Sequence, residues 1–146
     1  MEQRDYILRE IEKIGAIIRA IRQKIFGGKE NLAIVLEKQV DDSKGMLLNG
    51  TGFDLDQLLT LSREESNEYI SNFKGFSIEN IELLAECISQ IGFSDTSDHS
   101  TRYLEKALQL YELCNLKSDT YSLEREATIT AIKNGLHDLT KKEWVL

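Results

Sequence analysis

The sequence predicts an all-α protein: a long N-terminal antiparallel helical hairpin packed on a small array of shorter helices. Three observations predict it. The 146-residue chain contains no proline, where an average usage of about 5% would supply roughly seven, and proline is the residue that helix interiors reject. Six isoleucines near the N-terminus follow a helical repeat. Beyond residue 50, side chains that start helices recur at short intervals, and no stretch alternates apolar and polar residues as a half-buried strand would.

Taken in order, residues 4–26 carry the clearest element. Ile7, Ile11, Ile14, Ile18, Ile21 and Ile25 alternate steps of four and three, a heptad seam with Arg, Glu and Lys elsewhere. Gly27-Gly28 is the expected stop, since glycine takes the left-handed cap without a Cβ penalty. A second helix follows to about Asn49, with Leu32, Leu36, Val40 and Leu47 on one face. Poor helix formers should weaken it at Asp41-Asp42-Ser43-Lys44-Gly45. Asn49-Gly50-Thr51-Gly52 then reads as a turn.

Helix starts recur after that turn. Asp54 is an N-cap with Gln57 at N3, and Phe53 is placed to staple onto Leu58. Ser62 and Glu65 spell a capping box for a helix carrying Tyr69, Ile70 and Phe73. Ser77 caps the next, which runs through Ile81, Leu84, Cys87, Ile88 and Ile91 to Gly92, with Phe76 placed against Ile81. Residues 94–98 form a polar loop and cap. Another helix carries Tyr103, Leu104, Ala107, Leu108, Tyr111 and Cys114, and a last one opens near Ser122 with Leu123, Ala127, Ile129, Ile132 and Leu136. The expected organisation is one domain over 1–146, divided into the hairpin, 1–50, and the array, 51–146.

Phe53-Asp54-Leu55-Asp56-Gln57-Leu58-Leu59, Leu61-Ser62-Arg63-Glu64-Glu65 and Tyr121-Ser122-Leu123-Glu124-Arg125-Glu126 resemble small, uncharacterised bacterial all-helical proteins related to tetratricopeptide repeats. The spacing of Ala107, Tyr111 and Cys114 resembles the second helix of such a repeat. The first-helix tryptophan–glycine pattern, the closing proline and a second copy at the repeat period are absent. The resemblance implies helical-hairpin architecture over about 52–136 and implies no activity.

Composition excludes several function classes. The 41% hydrophobic and 29% charged fractions suit a globular chain, and no apolar run approaches the roughly 20 residues of a membrane span. The charged N-terminus does not read as a signal peptide, so the cytoplasm is the expected compartment. Residues 1–29 hold seven Lys/Arg against four Asp/Glu, a balance of +3, whereas 30–146 hold the remaining 11 and 21, a balance of −10. An acidic body disfavours bulk nucleic-acid binding, which depends on neutralising phosphates.

Catalytic groups are sparse. His99 and His137 lie in no metal-ligand spacing, and His99 with Asp95 and Asp98 reads as a solvated capping loop before it reads as a metal site. His137 is expected near a helix end, complementing the dipole. Cys87 and Cys114 are expected to be buried thiols. Asp54-x-Asp56 lacks the glycine and ligand spacing of a calcium loop, and Glu64, Glu65 and Glu68 suit a first helical turn. No catalytic, cofactor or metal site is expected.

Two features could meet a partner. The seam at Ile14, Ile18 and Ile21 must be covered, either by the chain itself or by a second copy in a homodimer. Arg19, Arg22 and Lys24 lie in a stretch without acids, where they complement the helix dipole or face an anionic partner. The leading expectation is a non-enzymatic protein-interaction or scaffolding module that holds a peptide or helix in a groove between hairpins. A regulatory or nucleic-acid-associated protein using the basic end of the first helix is the alternative, and an enzyme of unknown class is the third.

Overall fold

A computed structural model describes residues 2–26, 33–95 and 99–144. Among these residues the chain is all α-helical, with no strand: α1 Glu2–Phe26, α2 Ala33–Thr51, α3 Leu55–Thr60, α4 Arg63–Ser71, α5 Ile78–Ser94, α6 Ser100–Lys117 and α7 Leu123–Trp144. The Gly27-Gly28 stop and Leu32 lie outside the described residues.

The chain forms two compact units, residues 1–83 and 84–146. The division falls inside α5 and not at the 50/51 turn. The reason lies in bonds that tie 51–83 to the N-terminal helices. Lys44 on α2 pairs with Asp56 on α3 at 2.8 Å. Asn80, at the start of α5, is buried and donates its side-chain amide to the carbonyls of Ile11 (2.8 Å) and Gly75 (2.7 Å).

In the first unit, α1 packs on α2. The pair is antiparallel: the space a Cβ on Gly50 would need is taken by the Ile17 side chain, and further along α1 Lys24 meets Asp42 at 3.6 Å. Ile14, Ile18, Ile21 and Ile25 are buried, and Val40, Ser43 and Leu47 bury the matching stripe of α2. At roughly 1.5–3 kcal/mol per buried side chain, these four isoleucines contribute about 6–12 kcal/mol of gross driving force. The seam is shorter than its sequence repeat, because Ile7 is exposed and Ile11 half-buried.

The expected weakening of α2 does not occur. The helix is continuous through Asp41–Gly45, where Ser43 is buried with its hydroxyl donating to the Gln39 carbonyl at 2.7 Å. Burial of Val40, Ser43 and Leu47 on either side of and within this stretch, with ion pairs at Asp42 and Lys44, holds the helix despite poor propensity. The helix also runs to Thr51, past the expected turn. The chain turns at Gly52, whose φ of 79° suits glycine.

The expected N-caps are present. The Asp54 carboxylate accepts from the Gln57 N–H at 3.2 Å, Ser62 and Glu65 complete a capping box, and the Ser77 and Ser122 hydroxyls accept from the N–H groups of Asn80 and Arg125. Phe53 and Leu58 are both fully buried. Phe53 centres a cluster with Tyr69, Phe73 and Phe76 at ring distances of 5.1, 5.1 and 4.9 Å.

In the second unit, α6 packs on α7. Asn115 bonds Arg125 and Glu126 near the turn, while Leu104, earlier on α6, lies against Gly135, later on α7. This pair is antiparallel too. Gly135 does not end its helix: α7 continues to Trp144. A Cβ there would come within 2.9 Å of the Phe93 ring, so the glycine serves close packing. His137 is exposed and lies before the last turn of α7, where it does not complement the C-terminal dipole as expected.

Candidate interaction surface

The residues singled out from the sequence are not one surface. Ile14, Ile18 and Ile21 are 1%, 1% and 4% exposed in the single chain, so intrachain packing covers them. Arg19 is exposed, with its guanidinium nitrogens lying over Gly15. Arg22 is half-buried, and Lys24 is drawn into its ion pair with Asp42. At about 100° per residue, Arg22 and Lys24 stand roughly 80° to either side of the Ile18–Ile25 seam. The three cations therefore do not form a single basic face. What they do is flank a buried seam.

The remaining chemical candidates resolve into structural parts. Asp54 caps α3 and Asp56 pairs with Lys44. His99 occupies the N-cap position of α6 without a side-chain capping bond, and Asp98 lies outside the described residues. Cys87 and Cys114 are buried, 2% and 0% exposed, as their helical faces predict. No group of three or more His, Cys, Asp or Glu side chains among the described residues could hold a metal ion. No helix among them is long and apolar enough to cross a membrane.

The surface that does stand out is the corner between α6 and α7. Leu116, Tyr121 and Leu123 are 79%, 74% and 76% exposed, more than any other large apolar side chain among the described residues. The corner is braced. Arg125 is buried and donates to the Asn115 side-chain oxygen at 3.1 Å, and the Asn115 amide donates to Glu126 at 3.1 Å. Within the turn, the Thr120 N–H donates to the Ser118 hydroxyl at 3.2 Å, and that hydroxyl approaches the Thr120 carbonyl at 3.0 Å. Helix geometry explains the display. Leu116 lies about 180° around α6 from the buried Ala107, and Leu123 about 120° around α7 from the buried Ile129.

Of Leu123, Ala127, Ile129, Ile132 and Leu136, the apolar residues expected on the last helix, Leu123 and Ala127 are exposed. A strict helical projection from Ile129 and Ile132 would have separated Leu123. Nothing in the sequence marks Arg125 as the buried brace, or Lys106, buried with its ammonium donating to Gln109 at 2.7 Å. A second apolar stretch lies at the start of α1, where Tyr6, Ile7 and Leu8 are exposed.

No protein-family model matches the chain, and neither a curated protein nor a solved structure matches it.

Proposed function

We propose that this chain is a non-enzymatic protein-interaction module, a small tetratricopeptide-like assembly of helical hairpins that offers an apolar corner to another protein. The observation that carries this reading is the braced α6–α7 turn, which holds Leu116, Tyr121 and Leu123 in solvent. A single exposed leucine is ordinary on protein surfaces, whereas three large apolar side chains within eight residues around one braced turn make that turn the candidate contact site. Burying all three would gain on the order of 5–9 kcal/mol before association costs of about 4–15 kcal/mol. The three side chains thus offset much of the association cost, and the contacts around them set the net affinity. We prefer this reading to a regulatory or nucleic-acid-associated one because Arg22 and Lys24 lie on opposite sides of the seam and Lys24 pairs with Asp42 at 3.6 Å. The test combines a triple Leu116→Ser, Tyr121→Ser, Leu123→Ser variant with affinity capture. Proteins captured by the wild type are purified and titrated against both chains. Loss of binding by a variant with an unchanged melting point is expected, and equal binding would overturn the reading.

A further inference from the structure

Resting on that reading, we infer that the α6–α7 corner takes a cationic amphipathic segment: a helix or peptide whose apolar side chains meet Leu116, Tyr121 and Leu123 while its Lys or Arg side chains meet an acidic rim. Exposed charge at the corner is mostly acidic, because one of its two cations, Arg125, is buried and only Lys117 is exposed. Asp119 and Glu124 are exposed, and Glu126 is half-buried and accepts from the Asn115 side-chain amide. Arg125, between the two glutamates in sequence, is buried against Asn115, and Lys106 is buried with Gln109. Within residues 115–126 that leaves Lys117 as the one exposed cation. Residues 84–146, the unit that carries the corner, hold ten Asp/Glu against seven Lys/Arg, a balance of −3 that is of the same sign. An anionic partner would meet repulsion at contact distance. A cationic one gains both encounter rate and register, and exposed charges do this without the desolvation cost of burial.

The test is fluorescence anisotropy of the full chain with a labelled helix-forming leucine–lysine peptide, run beside versions in which every lysine is glutamine or glutamate. The lysine peptide is expected to bind most tightly, with affinity falling as salt screens the charges beyond a Debye length of about 8 Å. Asp119→Asn with Glu124→Gln should weaken it several-fold, and the triple serine variant by about tenfold or more, a change of roughly 1.4 kcal/mol. All five positions are exposed, so circular dichroism should show an unchanged fold. If the glutamine peptide binds as tightly as the lysine one and the serine variant loses both, the cationic preference is wrong and the docking corner stands. If the serine variant binds the lysine peptide as the wild type does, the corner itself is wrong. Tighter binding of the glutamate peptide, or no binding of the lysine peptide, overturns the inference.

Discussion

The α1–α2 and α6–α7 pairs are both antiparallel, yet they spend their apolar residues differently. The first buries Ile14, Ile18, Ile21 and Ile25 almost completely and leaves Tyr6, Ile7, Leu8 and Leu48 about half exposed or less. The second is tight at its centre, where Ala107, Leu110 and Cys114 are fully buried, and holds three large apolar side chains in water at its turn. It also buries two charged side chains, Arg125 bonded to Asn115 and Lys106 bonded to Gln109, whereas the ion pair between α1 and α2, Lys24–Asp42, is exposed. The difference teaches that apolar periodicity and interaction are separate signals here. The most regular stripe in the sequence is core, and the candidate contact surface is made of the residues that fall off the stripe.

Substitutions can break this contrast, starting with the largest effect. Ile18→Glu places a charge without a partner in the covered seam and should cost about 4 kcal/mol or more. Thermal melts at several protein concentrations should show the same loss throughout, because the chain covers its own seam; a concentration-dependent loss would transfer that cover to a second copy. Arg125→Ala should cost roughly 2–4 kcal/mol in urea unfolding, since it strips a buried, hydrogen-bonded charge from the brace. In a double-mutant cycle with Asn115→Ala, the double variant should lose less than the sum of the two single losses.

Glycines give a finer contrast. A Cβ on Gly75 would come within 2.5 Å of the Glu10 carbonyl oxygen, a backbone atom that cannot swing aside. Gly75→Ala should therefore destabilise by about 1–3 kcal/mol. At Gly135 the obstacle is the Phe93 ring, which is 52% exposed and able to rotate away. Its alanine variant should stay within about 1 kcal/mol of the wild type, as the gain in helix propensity offsets the shift. Gly45 lies inside α2 with nothing within 4 Å of its Cβ position. Gly45→Ala should stabilise the chain by up to about 1 kcal/mol. A loss there would mean that α2 depends on the glycine.

Much of the fold was legible because its signals are local. Missing prolines, the isoleucine repeat and the capping pairs at Asp54, Ser62, Ser77 and Ser122 each act within a turn or two of helix. What escaped depends on neighbours distant in sequence. Asn80 reads as an ordinary polar residue until its amide is seen to meet the Ile11 carbonyl, 69 positions away. Asp42 and Lys44 read as helix breakers until Lys24 and Asp56 are placed beside them. The candidate surface was illegible for a related reason. Leu116 and Leu123 match the composition of a core, and only their angular offset from Ala107 and Ile129 sets them outside it.

The separation of buried seam from displayed corner is tested most directly by methyl NMR of the full chain, labelled on Leu and Ile, during titration with the leucine–lysine peptide. The account predicts shifts that saturate at Leu116 and Leu123, while the methyls of Ile14, Ile18, Ile21 and Ile25 stay in place. Shifts centred on those isoleucines, with Leu116 and Leu123 unmoved, would contradict it.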